Sequence, residues 1–577
     1  MKLLAVALAL CLAAPAAADN LKSIIADHWA WSLSIDPGLA TEVGDRSGDG
    51  KLRDPSLAQA DRNAVTAKTF ITRLDAIDPA ALTPADRVNR GVLRQMLADD
   101  VAGNAFGQRA MNFTTYSGWH TGFAGLPDRA RFENRADYES YLGRLAAYPA
   151  FNAAQIAVTR TGLAAGYALP CAPLIGFEKS ISAHITARPE ASVFWTPFAG
   201  RQPGFYTSAE WTALQARAQS LIATAVVPAY RDFLAFYTTE YFPKCRTTTG
   251  IGATPGGREY YAYAARAMTT TAMTPDQIHR LGLSEVARIG AAMDAVAAGA
   301  GYPDRKAYVA HLRSDPKYYA RTPQELLERS AWVTKQIDDY LPKIIGKLPR
   351  LPFSVKPIPA DQAEGTTTAF SEWGSTANGR AGVYRVNTTH LDQRPFYEIP
   401  ALTLHEAAPG HQTQGSLQQE LDLPNFRKYQ ATFTAFVEGW ALYAESLGEA
   451  MGLYDTPEKQ MGRYSYEMWR ANRLVVDTGM HVKGWSRDRA IEYMLANTAL
   501  SRHNIEAEIN RYITWPGQAL AYKIGELTIQ RLRKKAMASL GERFDERSFH
   551  DAILENGPVP LDVLEQHIDG WIASHKT

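Results

Sequence analysis

Cysteine is nearly absent from this chain: three residues among 577, Cys11, Cys171 and Cys245. None has a second thiol close by in sequence, which excludes a thiolate zinc site. Net charge is missing too. Sixty-one Lys and Arg stand against sixty Asp and Glu, a formal +1, so there is no electrostatic basis for binding nucleic acid, and no long basic run to attract anionic lipid. No stretch reaches the ~18 uninterrupted apolar residues of a membrane span, so no transmembrane segment is expected. Low-complexity tracts and repeats of fixed period are also lacking.

The N-terminus is the one apolar exception. Lys2 precedes an apolar run from Leu3 to Ala14, and Ala16-Ala17-Ala18 supplies small residues before Asp19, the anatomy of a secretory signal peptide. The expected division is a leader over residues 1–18 and a mature chain over 19–577, secreted across the inner membrane to the periplasm. Leu10 stands where a lipid-attachment site at Cys11 would need a small residue, which argues against a lipoprotein. Removal of the leader leaves Cys171 and Cys245. In an oxidising compartment they form a plausible disulfide closing a loop of about 75 residues, a contribution of about 3–4 kcal/mol in the loop-entropy model; the alternative is two buried thiols.

The mature chain is long enough for a large core, and with 12 Trp, 27 Tyr and 21 Phe it has aromatics for both core packing and an extended cleft. Helical spacing runs through 57–102, 138–165, 208–241 and 274–298. Thr274-Pro275-Asp276-Gln277 and Thr322-Pro323-Gln324-Glu325 have the form of helix starts, with Thr as cap and Pro in the first turn. Only 352–358 and 382–387 alternate as half-buried strands do. Asp45 to Lys51 imitates the start of a calcium loop, but its twelfth position is Ser56 rather than the bidentate Glu such a loop needs, so a polar turn is expected.

The chemistry concentrates in His405-Glu406-Ala407-Ala408-Pro409-Gly410-His411. Neutral imidazole is the commonest zinc ligand, and a neighbouring carboxylate can take a proton from a water. The usual helical pair is four residues apart, whereas six residues turn His411 about 120° away from His405 on an ideal helix. Pro409-Gly410 lies within that interval, and a Pro there cannot donate to the His405 carbonyl, so a helix break is expected that could return His411 to the metal. On spacing alone, two solvated or core-capping His at a helix end are an equal alternative. A third ligand is available in the apolar run from Thr434 to Glu445, where Glu438 and Glu445 lie seven apart on nearly one face. A buried carboxylate needs a partner. Glu438, 27 residues beyond His411, is the expected ligand, with an Arg salt bridge as its alternative; Glu445 is expected to orient a ligand or an Arg.

These residues, together with Tyr241 to Arg246, Pro255 to Tyr261, Ala264 to Ile289, Gly382 to Thr388, the FVEGWALYAE segment, Arg473 to His481, Arg511-Tyr512, Pro516 to Gly525 and Gly557 to Pro560, resemble the bacterial domain-of-unknown-function 885 family. That family is grouped with gluzincin-type zinc metallopeptidases such as thimet oligopeptidase and angiotensin-converting enzyme. The resemblance implies a mainly α fold: a large helical ellipsoid with a small edge β-sheet beside the active-site helix, and possible sub-domains over 19–250 and 251–577 on either side of a cleft. In helical metallopeptidases an edge strand beside that helix binds extended substrate backbone, which nominates Tyr384 and Asn387 as substrate-binding residues. The related peptidases also use a tyrosine far downstream as a donor to the tetrahedral oxygen, which nominates Tyr522, with His481 second and Arg473 for a substrate carboxylate.

The resulting expectation is a secreted zinc hydrolase of peptide bonds, with His405, His411 and Glu438 holding zinc and Glu406 as general base. Two alternatives stand beside it: a zinc amidase or carbamate hydrolase acting on acylated amino acids with the same residues, and a non-catalytic peptide binder, against which the intact Glu406 and the three candidate ligands argue. Peptide or a peptide-like amide is the expected partner; oligomeric state and substrate sequence are not encoded in any motif.

Overall fold

The computed structural model describes residues 2–115, 117–364, 366–376 and 379–576, with side chains from residue 17 onward, Asp361 excepted. Met1 and the side chains through residue 16, which carry most of the expected leader, lie outside that description. Among the described residues the chain is mainly helical, as expected, with one small sheet. Among the described residues, no helix is long and apolar enough to cross a membrane. The chain divides into two compact units, one of residues 1–247 with 424–429 and one of 248–423 with 430–577.

The first unit contains α1 (Lys2–Ile35), α2 (Leu57–Asp75), α3 (Pro84–Asn104), α4 (Arg135–Ala164), α5 (Ser208–Leu221) and α6 (Val227–Phe236). Apolar spacing drives the packing. In α2, Ala67, Phe70 and Leu74 recur at helical intervals, and these are the residues it buries. The core is strongly aromatic, with Phe123 stacked on Tyr148 at 3.8 Å between ring centroids. Buried tyrosines donate their hydroxyls to main-chain carbonyls, Tyr141 to Phe194, Tyr230 to His120 and Tyr237 to Leu174, so these three deep phenols each find an acceptor. Cys171 and Cys245 form the expected disulfide. The calcium-loop imitation is a capped turn: Asp45 accepts from the Ser47 amide, and Asp49 pairs with Arg46.

The second unit carries the motifs. Its first long helices are α7 (Pro275–Gly299) and α8 (Pro323–Asp338), whose caps are the Thr274 and Thr322 hydroxyls as the sequence indicates. A three-stranded sheet follows, of β1 (Phe353–Pro357), β2 (Ala369–Glu372) and β3 (Gly382–Val386), in the order β1-β3-β2. β1 runs parallel to β3, and β2 antiparallel to it, with Ala369 opposite Val386. This corrects the expectation of an edge strand at 382–387: β3 is central, and β2 is an edge. β2 escapes a sequence reading because four residues carry too little alternation.

Beyond the sheet come α9 (Ile399–Glu406), α10 (His411–Glu420), α11 (Thr434–Leu447), α12 (Pro457–Val482), α13 (Arg502–Thr514) and α14 (Ala521–Leu540). α7 packs along α12, while α11 lies against both α9 and α14. The amide of Gln412 on α10 donates to the Glu372 and Val383 carbonyls, tying the second His helix to β2 and β3.

Candidate metal centre

The HEAAPGH segment breaks where the sequence predicts. α9 ends at Glu406 and α10 begins at His411, with a cis Ala408–Pro409 peptide between them. Gly410 folds back so tightly that a Cβ there would lie 1.9 Å from the His405 carbonyl oxygen, a position only glycine can fill. Its amide donates to the Leu404 carbonyl, and the Trp440 indole of α11 donates to the Pro409 carbonyl. The break is thereby fixed from both sides. It sets the two imidazoles 4.9 Å apart between centroids and perpendicular, at 89°.

Glu438 of α11 meets both. Its Oε2 lies 3.5 Å from His405 Nε2 and 3.2 Å from His411 Nε2. Ligand atoms of the three residues all fall within 4.8 Å of one another. His405 and His411 are buried, His405 only 2 % exposed, and Glu438 is half-buried. Burial would raise the Glu438 carboxyl, but the two imidazoles, His411 foremost, outweigh it and hold the group well below its ordinary range.

Glu445, one heptad further along α11, orients the site. A carboxylate only accepts, so His405 Nδ1–H donates to Glu445 Oε1 at 2.8 Å, and Arg470 of α12 steadies that carboxylate at 3.2 Å. His405 Nε2 is thus left turned toward Glu438. In a neutral imidazole that nitrogen bears a lone pair, and a lone pair facing a carboxylate calls for a cation between them. Glu438 Oε2 and His411 Nδ1 are moreover buried without hydrogen-bond partners. A proton can fill the gap: burial would lower His405, but Glu438 and then Glu445 overcome this and push it up to about 9. The donor set fits zinc equally well, as two imidazoles and a carboxylate with a second carboxylate behind the first His.

Glu406 ends α9 beside this group. The hydroxyl of Ser371, on β2, reaches both the Glu406 carbonyl and its Oε2, the latter at 3.0 Å. β2 is therefore the strand next to the candidate base.

Tyr522, in the first turn of α14, stacks on His405 with ring centroids 6.2 Å apart and planes 13° from parallel. Its oxygen accepts from Arg511 Nη2 at 2.9 Å and from the Gln518 amide at 3.4 Å. Two donors directed at the oxygen leave its own proton available to a further acceptor. Arg473 lies under the same ring, 4.1 Å from its centroid, and its guanidinium is bound to Tyr512 and Glu508. Burial would depress Arg473, but Tyr512 and Glu508 more than compensate and hold it charged.

The other sequence candidates are engaged in structural contacts. His481 accepts the Ile251 amide at Nδ1 and donates from Nε2 to the Tyr512 carbonyl, which commits both ring nitrogens to backbone. Tyr384 is fully buried with its hydroxyl 3.4 Å from Thr403 Oγ1. Asn387 spends its amide on the carbonyls of Ala363, Thr366 and Thr367 and its oxygen on Thr389. The sequence reading did not select Arg511, Gln518, Ser371 or Arg470; only the pairing of Glu445 with an Arg carried a signal.

Comparison with known proteins adds a family. Residues 37–568 match the family described as bacterial protein of unknown function, DUF885. A crystal structure described as a candidate lipoprotein from Colwellia psychrerythraea is 26% identical, with a TM-score of 0.87 over 97% of this chain and 99% of that one. The fold is also that of a candidate lipoprotein of unknown function from Shewanella oneidensis, 20% identical, with a TM-score of 0.68 over 95% of this chain and 99% of that one. A search of curated proteins finds no match.

Proposed function

Because the chain belongs to the DUF885 family, whose function is unknown, its activity has to come from the site itself, and we propose that it is a zinc-dependent hydrolase of peptide bonds acting outside the cytoplasm. The observation that carries this reading is the convergence of His405, His411 and Glu438 ligand atoms within 4.8 Å, with Glu406 in the next position of the chain. His405, His411 and Glu438 would hold the ion. When bound, zinc supplies a Lewis acid that polarises a carbonyl and makes water acidic near neutral pH.

The chain's own groups do the rest. Glu406 takes the proton of the attacking water and returns it to the leaving amine. The Tyr522 hydroxyl, its oxygen held by Arg511 and Gln518, donates to the oxygen on which negative charge develops. Glu445 keeps His405 in one tautomer and orientation. β2 offers an unladdered edge beside Glu406, suited to an extended peptide backbone. The gluzincin grouping that the family resemblance implies is in keeping with the same assignment. Export is supported by the leader-like N-terminus and by the Cys171–Cys245 disulfide.

Metal content tests the ligand set. Purified protein is expected to carry zinc at this site and Glu438→Ala to lose both that zinc and hydrolysis, since two protein ligands do not hold a catalytic zinc. Full occupancy in Glu438→Ala would move the third ligand elsewhere.

A further inference from the structure

A second cluster of metal-ligand residues lies elsewhere in the same unit. Glu364 follows a short helix (Ala360–Ala363), His390 follows β3, and His503 lies in the first turn of α13. One ligand atom from each falls within 4.8 Å of the others. His390 Nε2 is 3.0 Å from Glu364 Oε2, and the two imidazoles lie 4.9 Å apart between centroids. His503 Nε2 is buried and has no hydrogen-bond partner.

The three segments are held by groups that are not themselves ligands. Asn387 binds the carbonyls of Ala363, Thr366 and Thr367 through its amide and takes both the amide and the hydroxyl of Thr389 on its oxygen. Thr367 in turn donates to Asn504, the neighbour of His503. Each ligand therefore stands within three residues of a common buried polar scaffold, while the Glu364 and His390 side chains themselves are exposed and His503 is half-buried. His390 has φ 48° and ψ 58°, a left-handed conformation that a residue with a Cβ adopts only where its surroundings impose it. The His390–Glu364 contact accounts for one pairing but not for the second imidazole set beside it.

We infer that Glu364, His390 and His503 form a second metal site, separate from the His405 centre, for a first-row divalent ion of the zinc class. Two imidazoles and a carboxylate are the donors such ions prefer, and magnesium or calcium would want more oxygens. The site is a clamp. It ties the segments flanking the sheet to α13, which further along carries Glu508, Arg511 and Tyr512, the side chains around Arg473 and Tyr522. Its role is to stabilise the fold around those residues.

The test uses the full chain, Zn²⁺ and, as a spectroscopic probe, Co²⁺. Wild type is expected to bind two equivalents, His390→Ala/His503→Ala one, and His411→Ala/Glu438→Ala one. In the His411→Ala/Glu438→Ala protein, added Zn²⁺ should still raise Tm, and further substitution of His390 and His503 should abolish that rise. Glu364→Gln should weaken the remaining site at least tenfold. If wild type and His390→Ala/His503→Ala take up equal amounts of Zn²⁺ with equal affinity, the second site is refuted. Failure of the His405 centre would appear differently, as uptake unaffected by His411→Ala/Glu438→Ala but lost with His390 and His503. Circular dichroism of each variant shows whether lost uptake reflects lost folding. If a double variant is unfolded, His503→Gln replaces it, with the same loss of one equivalent expected and unchanged uptake refuting the site.

Discussion

Gly439 of α11 and Gly525 of α14 back onto each other so closely that a Cβ on Gly439 would lie 2.6 Å from the Gly525 backbone, and one on Gly525 1.8 Å from the Ala435 carbonyl oxygen. Glu438 precedes the first glycine, and Tyr522 lies three residues before the second. The helix crossing therefore sets how far the candidate ligand stands from the candidate donor. Gly439→Ala is expected to cost about 1–3 kcal/mol through forced separation of the helices, and to weaken zinc binding at the His405 centre as Glu438 moves. Thermal melting with and without zinc checks both; unchanged melting and affinity would mean that the crossing does not constrain the site.

Tyr522→Phe is expected to keep zinc and Tm while kcat falls on the order of 10²–10³ and KM changes far less, because the phenol donates chiefly in the transition state. Steady-state kinetics on a cleaved peptide separate the two constants. A loss confined to stability would place Tyr522 in the core, where its stacking on His405 and Arg473 would be its whole contribution.

Asp477 gives a pH signature independent of the metal. Burial raises its carboxyl to about 7 from an ordinary 3.8, despite hydrogen bonds from Tyr261 and the Gly517 amide and the charge of Arg473. Between those two values the folded chain holds a proton that the unfolded chain has released. Stability from this group is therefore full at the acid end, falls as pH rises toward about 7, and changes no further above it. Asp477→Asn keeps an oxygen to accept from Tyr261 and Gly517 and removes the ionisation. It should raise Tm at pH 8 relative to wild type and flatten the slope below pH 7; parallel Tm curves for the two proteins would contradict the assignment.

The candidate metal centre was legible because most of its parts are local. His405, Glu406 and His411 share seven residues, Pro409-Gly410 marks the break, and the sevenfold spacing of Glu438 and Glu445 puts both on one helical face. The mainly α architecture and the caps at Thr274 and Thr322 followed from periodicity and capping chemistry for the same reason. What escaped was made by packing. Arg511 reaches the Tyr522 oxygen from α13, a different helix, and β2 gains its place from pairing with β3. The Glu364, His390 and His503 cluster joins segments with no regular spacing. Conversely, His481 and Asn387 have residue types suited to catalysis or binding, yet backbone groups occupy their polar atoms; sequence does not distinguish the two uses.

The central claim is peptide hydrolysis with Glu406 as the base. Glu406→Gln keeps the shape of the side chain and leaves His405, His411 and Glu438 in place, so it should retain zinc while losing turnover by roughly 10²–10⁴. The most direct measurement is mass spectrometry of a mixed peptide library incubated with zinc-loaded wild type and, in parallel, with zinc-loaded Glu406→Gln. We expect new peptide termini with wild type and almost none with the variant. Equal cleavage by both proteins, or an intact library with zinc-loaded wild type, would contradict the account.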